Sequence, residues 1–426
     1  MFYRCLESGL VWICAMISKY RRLLAYLIAI SLATKLLMAL ATVYIFHSFI
    51  DGWGFSVYWN TLIVPFLQHG SIPYINYVWE YPPLMLVPTI IAVAVAVAVH
   101  QYAAFVYAYT TLMIICDCIS IVCVYFIALK MSAGNAKYAF TAGFLSATAF
   151  SAAYHVITCF DAFPVCLMML GLFFAIGEYQ PIKSYGALVC GYFAKLFPAI
   201  LIPFVFLYNL NRRGWKGEIK SLLKVSIPLA LVLAVPFILL NFSSIGVYLD
   251  QTETGKGVFA ATLTYTVYMW LYTILRINIT SAMLTPVMYA ILGIVMMMLI
   301  WCASYIEKMK PKELLKLSLL ALVSIIIFVP HHSPQYMMWF IPILSILVAG
   351  NLWKMLWFYF FQVIEYIKFP LAFYGLYTNG MYTEANWMVA LMFFTVEFAV
   401  LFYLVWIAVM PFKIFTKVNL HEIIQQ

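Results

Sequence analysis

Runs of about twenty apolar residues recur along almost the whole chain, separated by short polar breaks, and nothing else in the sequence limits the fold so strongly. A helix needs roughly 20 apolar residues to cross the hydrocarbon core of a bilayer. Backbone groups in lipid must be satisfied within the segment, so runs this long imply helices rather than a barrel. Composition agrees. Of 426 residues, 66% are hydrophobic and 9% charged, with a mean hydropathy of +1.00, against about 25% charged in soluble domains. The expected fold is an all-α polytopic membrane protein, one integral membrane domain over residues 1–426 with no long soluble part.

Lys and Arg gather in short loops and tails, as the positive-inside rule requires, so the formal charge of +9 calls for the bilayer and for no nucleic-acid partner. Lys19, Arg21 and Arg22 precede the first run, 23–46, and place its far end outside. The stretch from Arg212 and Arg213 through Lys216 to Lys220 is the strongest cytoplasmic marker; the basic loop 307–316, with Lys413 and Lys417, also belongs inside. Further runs lie at 82–99, 102–129, 139–156, 162–176, 185–210, 222–240, 283–303, 317–329, 338–349, 357–377 and 387–410. About twelve spans (ten to thirteen) with both termini cytoplasmic satisfy this pattern, leaving outside loops at 47–81 and 241–278. One tension remains. Lys130 and Lys137 belong inside by charge, whereas strict alternation puts them outside, so a segment between 130 and 210 is short or re-entrant. Residues 1–24 read as a cytoplasmic amphipathic lead-in rather than a cleavable signal peptide. The nine cysteines show no zinc spacing and read as small buried apolar residues. No basic central loop divides six spans from six, which argues against a two-halves transporter.

The first outside loop is wet, aromatic and acidic. Asp51 and Glu80 are its two carboxylates, and Tyr74, Tyr77, Trp79 and Tyr81 crowd its second half. Apolar positions from Phe55 to Leu67 recur at helical spacing and predict a helix along the membrane surface, ended by Gly70, Pro73 and Tyr74. Sugar transfer from a phosphate-linked donor needs a base for the attacking hydroxyl and cations or donors for the leaving phosphate. A carboxylate partly desolvated by Trp53, Tyr58 and Trp79 suits the base; the plainer alternatives are a solvated loop acid and a helix-start glutamate. Tyr58, Tyr74, Tyr77 and Trp79 offer rings for stacking on a sugar. Four charges interrupt apolar runs: Lys35, Asp117, Asp161 and Lys195. Each costs at least about 2.5 kcal/mol at the bilayer centre unless paired or wet. Lys35 and Asp117 are expected to form a structural pair between the first and third runs, while Glu397 has no evident partner. No Walker A, GxGxxG or Ser–His–Asp arrangement is present.

Four segments, in order, carry a resemblance. The first comprises Gly54-Phe55-Ser56-Val57-Tyr58, Gly70-Ser71-Ile72-Pro73-Tyr74 and Tyr81-Pro82-Pro83-Leu84. The second is Cys159-Phe160-Asp161-Ala162-Phe163-Pro164, followed by Ala194-Lys195-Leu196-Phe197-Pro198. The third is Thr254-Gly255-Lys256-Gly257-Val258. The fourth is Ser333-Pro334-Gln335-Tyr336-Met337-Met338-Trp339-Phe340-Ile341-Pro342, an S-P-Q-Y-x-x-W-x-x-P string. Together they resemble the GT-C glycosyltransferases that use polyprenyl-phosphate sugars, in particular the mannosyltransferase branch that includes the GPI mannosyltransferase catalytic subunits.

The resemblance implies a GT-C-type helical bundle and inverting transfer of a hexose, mannose first, from a polyprenyl phosphate to a glycan or lipid acceptor on the non-cytoplasmic side. It implies Asp51 or Glu80 as the base, and Lys256, His331, His332 and Gln335 around the donor phosphate. Tyr58, Tyr74, Tyr81 and Tyr336 would shape the pocket, with Asp161 and Lys195 also binding substrate. The chain departs from the pattern in three places. Asp51 stands three residues before Gly54, where the family has its acid, so Glu80 gains weight; Cys159 replaces a glutamine; His331 and His332 stand where relatives carry a lysine. No metal ligand set is implied, and with no DxD in the loop a divalent cation stays open as a helper. A lipid or solute transporter with its charges along a midplane path, or a non-catalytic subunit of the same fold, are the alternatives.

Overall fold

The computed structural model describes residues 2–46, 53–77, 79, 81–177, 179–244, 262–277, 281–329, 333–372 and 384–410. Regular structure among them is helical, apart from one isolated bridge between Pro73 and Tyr77. The first long helix is α1 (Phe2–Phe46); α2 (Trp53–Tyr58) and α3 (Val64–His69) follow, joined by a π-helical stretch, Trp59–Ile63. Next come α4 (Leu86–Val99), α5 (Tyr102–Met131), α6 (Ala136–Ala147), α7 (Phe150–Thr158), α8 (Ala162–Ile176) and α9 (Pro181–Ala194). A 3-10 turn, Phe197–Leu201, leads into α10 (Ile202–Leu233), then α11 (Val235–Leu240), α12 (Leu263–Thr273), α13 (Ser281–Ser304) and α14 (Pro311–Phe328). A second 3-10 turn, Pro334–Trp339, precedes α15 (Ile341–Val348), α16 (Leu352–Tyr366) and α17 (Glu384–Val409).

Five helical stretches are long and apolar enough to cross a membrane: Ile17–Tyr44, Tyr102–Met131, Arg212–Leu240, Met283–Ser304 and Leu391–Val409. The pair α6 and α7, bent by 54°, makes a sixth when taken as one span. The helix ends follow ordinary local chemistry. Asn135 and Asn351 accept the backbone N–H of Tyr138 and Lys354, each at 3.1 Å, as N-caps do. Pro181 and Pro311 open their helices, where a missing N–H costs nothing. Gly214, with φ 67° and ψ 168°, breaks α10 into two. The helical part of the expectation over Phe55 to Leu67 is met by α2, the π stretch and α3, closed by Gly70 at φ 65°, a conformation glycine adopts without strain. Its buried side is Phe55, Tyr58, Leu62 and Ile63.

Side-chain pairs fix the helix directions. Tyr20 packs on Tyr125 at 5.6 Å, and Lys35 Nζ lies 2.6 Å from Asp117 Oδ2. Helices α1 and α5 are therefore antiparallel, and the expected Lys35–Asp117 pair is formed, with Ser31 Oγ 2.6 Å from the ammonium. The run expected to cross at 82–99 differs from its expectation. Its helix, α4, has 14 residues, about 21 Å at 1.5 Å per residue. It doubles back on α5 through His100 (φ 57°), and Thr89 Oγ1 sits 3.4 Å from the Tyr109 hydroxyl. Because α5 starts at the end where α1 finishes, Lys130 comes to the end that holds Lys19, Arg21 and Arg22. The conflict over Lys130 and Lys137 disappears with that reversal. The expected span 185–210 also divides, into α9 and the 3-10 turn with the first part of α10, which meet at Lys195. Helix α8 runs parallel to α5, with Phe126 and Phe173 6.1 Å apart, and it delivers Tyr179 to the Arg212 guanidinium at 4.8 Å. Arg212 thus joins the same basic end. At the opposite end, Tyr74 meets Phe237 at 5.1 Å.

Glu397 is not alone. Lys368 Nζ lies 2.5 Å from its Oε1, a correction to the reading of Glu397 as partnerless.

Candidate functional site

Three of the four segments picked out by resemblance meet at one place, around a buried ion pair. Asp161 stands between the end of α7 and the start of α8, and is 0% exposed. Lys195 terminates α9, with its N–H bonded to the Gly191 carbonyl at 2.8 Å. Its ammonium lies 2.8 Å from Asp161 Oδ1. The Trp339 indole N–H donates to that same oxygen at 2.7 Å. Asp161 Oδ2 is buried and accepts no hydrogen bond among the described residues. One carboxylate oxygen is thus doubly held and the other is free to accept.

Rings enclose the ammonium. Lys195 Nζ sits 4.6 Å from the centres of Phe160 and Tyr336, 5.3 Å from Trp339 and 5.8 Å from Tyr81, inside the range where a cation is attracted to a ring face. The string Tyr336-Met337-Met338-Trp339 lies on a 3-10 turn, and residues three apart on such a turn eclipse one another. Trp339 accordingly stacks on Tyr336 at 4.0 Å, and on Phe197 at 4.0 Å with 5° between planes. The motif spacing makes the sandwich, and the sandwich aims the indole at Asp161.

The first loop supplies the opposite wall. Tyr81 meets Phe160 at 4.7 Å, Trp79 at 5.3 Å and Tyr58 at 5.7 Å. Tyr58 also contacts Phe160 at 5.1 Å and stacks over Tyr109 at 6.1 Å. Tyr74, at φ 64°, closes a turn through its N–H to the Tyr77 carbonyl at 2.7 Å, and its hydroxyl donates to the Tyr81 carbonyl. Tyr77 donates from its hydroxyl to the Thr61 carbonyl at 2.9 Å, tying the loop to the π stretch, and burial raises its pKa above the ordinary value. Trp79 Nε1 is buried with no acceptor among the described residues. The cluster therefore holds one unmatched donor and one unmatched acceptor between aromatic faces. A ligand rich in hydroxyl groups, each able to give and accept, matches that pair.

Tyr58, Tyr74, Tyr81, Asp161, Lys195 and Tyr336 are brought together. Gln335, half-buried on the same 3-10 turn, makes no hydrogen bond to the pair. Asp51, Glu80, Lys256, His331 and His332 lie outside the described residues. Phe160, Phe197 and Trp339 were not expected in the site, although each stands within a quoted motif; the three-residue step from Tyr336 to Trp339 was the usable signal. Among the described residues no group of three or more His, Cys, Asp or Glu offers a metal a ligand set. No family model matches the chain, and no curated protein matches it.

Proposed function

We propose that the chain is an integral membrane glycosyltransferase that moves a hexose, mannose first among candidates, from a polyprenyl phosphate to a glycan or lipid acceptor, with inversion. One observation carries the reading. Segments around residues 58–81, 160–195 and 336–339, chosen for their likeness to such enzymes, converge on one Asp–Lys pair with an unmatched oxygen and an aromatic wall. Aromatic faces suit the C–H face of a sugar ring, and a carboxylate suits its hydroxyls.

In the proposed reaction the acceptor hydroxyl oxygen attacks the anomeric carbon as the bond to phosphate breaks on the opposite side. The proton passes to a carboxylate, Asp51 or Glu80, and the electron pair leaves on the phosphate, which Lys256, His331 and His332 are placed by resemblance to hold. Asp161 binds sugar hydroxyls through its free oxygen. Lys195 fixes that carboxylate and adds positive charge toward the phosphate.

The proposed topology sets the basic end in the cytoplasm. Crossings are then made by α1, α5, the α6–α7 pair, α8, α9, the two halves of α10 (the second with α11), α13, α14, α15 together with the 3-10 turn before it, α16 and α17, which is twelve passes with both termini inside. The site falls toward the non-cytoplasmic face. The test is transfer in membranes given radiolabelled polyprenyl-phosphate mannose, comparing wild type with Asp51→Asn, Glu80→Gln and Asp161→Asn. The reading expects a labelled product that one loop variant abolishes and Asp161→Asn strongly reduces. A wild type that transfers nothing from mannose or glucose donors would put transport or a non-catalytic subunit in its place.

A further inference from the structure

A second group of buried charges lies apart from the proposed transfer chemistry. Lys368, just past α16, places Nζ 2.5 Å from Glu397 Oε1 on α17 and 3.0 Å from Glu365 Oε2 on α16. All three side chains are at most 5% exposed. One ammonium thus serves two carboxylates. Fully ionised, the group would hold a net negative charge in an apolar interior, and an uncompensated buried charge is far more expensive than a paired one. Glu397 Oε2 is buried and has no hydrogen-bond partner among the described residues. Gln362, fully buried one turn before Glu365, is likewise unmatched at both amide atoms; being neutral, it brings no charge to cancel the excess.

No titratable neighbour among the described residues supplies the missing positive charge. His155 on α7 stacks on Phe369 at 5.4 Å, and its Nδ1 lies 4.0 Å from Cys159 Sγ rather than on either carboxylate. A proton there would add a second cation beside Lys368 with no acceptor of its own. Tyr154 and Tyr366, 6.1 Å apart, are neutral phenols. Lys368 is already shared, and no third carboxylate joins the group to make a cation site among the described residues. A proton between the two acids cancels the excess and turns one carboxylate into a donor.

We propose that Glu365, Lys368 and Glu397 form a proton-binding site in which the two carboxyl groups share one proton and the triad is neutral at neutral pH. The proton fastens α16 to α17 from within the bilayer. The inference is independent of the sugar-transfer reading and does not fall with it.

Infrared spectroscopy of the full chain in bilayers at neutral pH, in water and in heavy water, tests it. Wild type minus Glu397→Gln is expected to contain the carbonyl band of a protonated carboxylic acid, shifted by deuterium. The same band should be lost in Glu365→Gln, because either substitution leaves one carboxylate for one ammonium. It should persist in His155→Gln and strengthen in Lys368→Met, where both acids must then be protonated. Glutamine has the shape of a protonated glutamate, so both Gln variants keep the packing. Should either fail to fold, the wild-type band must disappear as a one-proton step on alkaline titration. A difference spectrum with ionised carboxylate bands alone, a band that vanishes in His155→Gln, or a wild type with no such band overturns the proposal.

Discussion

At the scale of single residues, the Asp161–Lys195–Trp339 contact is an unequal set of partners. The indole gives one hydrogen bond to a charged acceptor, a bond worth about 1.5–3 kcal/mol. Trp339→Phe keeps an aromatic ring between Tyr336 and Phe197 and removes the donor together with part of the indole's bulk. It is expected to lower the thermal midpoint of the detergent-purified protein modestly, read by thiol-dye reaction with the buried cysteines. Asp161→Asn strands a buried ammonium, which costs roughly 3–5 kcal/mol, so its loss should be clearly larger. Asp161→Asn with Lys195→Met removes both charges and should regain much of it. A double variant no better than Asp161→Asn would mean the pair does not govern stability. A second residue-scale expectation lies at the basic end. Burial, with Lys312 and Lys354 nearby and Glu313 opposing them, pushes Lys316 down from 10.5 to about 8; burial and Lys312 lower Lys354. A lysine with a depressed folded pKa binds fewer protons folded than unfolded, so its penalty is full below about 8 and is relieved as pH rises toward 10.5. The thermal midpoint should therefore climb from about pH 8 to pH 10.5, and Lys316→Met should flatten that climb.

At the scale of elements, the site depends on how closely α9 approaches the turn that follows it. A methyl group added at Gly191 would come within 2.7 Å of Pro198 Cβ, so the turn carrying Phe197 must move. Overpacking of this kind costs about 1–3 kcal/mol. Gly191→Ala is expected to fold at reduced stability and to lose transfer out of proportion, because Lys195 and Phe197 shift together. Equal losses in transfer and stability would deny the turn a positioning role. Elements also show what could be read beforehand. The helix over residues 55–67 and the Lys35–Asp117 pair were legible, because short-range spacing and the expense of unpaired charge act locally. The reversal at α4 was not, since alternation treats every apolar run as a crossing, and its 14 residues do not set it apart from α9, which is equally long and counts as a crossing. The triad was missed at Glu397, because only tertiary packing brings α17 against the local pair of Glu365 and Lys368, which stand three residues apart. Trp339 stood in plain view within its motif, but its target, Asp161, is 178 positions away.

At the scale of the whole molecule, charge and site occupy opposite ends. Lys19, Arg21, Arg22, Lys130, Arg212, Lys312 and Lys354 gather toward one end, and the Asp161–Lys195 cluster with the Tyr74 loop lies toward the other. Helix α8 spans part of that separation with 15 residues, about 22 Å at 1.5 Å per residue. This sets the candidate site short of the far end of the bundle rather than at it. The arrangement rests on α4 turning back, and that step has a direct consequence. If α4 crossed the bilayer instead, α5 would run the other way and the turn at Ala133 would share a side with Ile75. As folded, Ala133 must share a side with Lys216 and oppose Ile75. Single cysteines placed at Ala133, Lys216 and Ile75 in a cysteine-free background, probed in sealed vesicles with a membrane-impermeant maleimide, decide between these arrangements. Labelling of positions 133 and 216 from one side and 75 from the other is the expected result. Labelling of 133 together with 75 would restore strict alternation, return Lys130 to the outside face and remove the reason for placing the ion pair in the far half of the membrane.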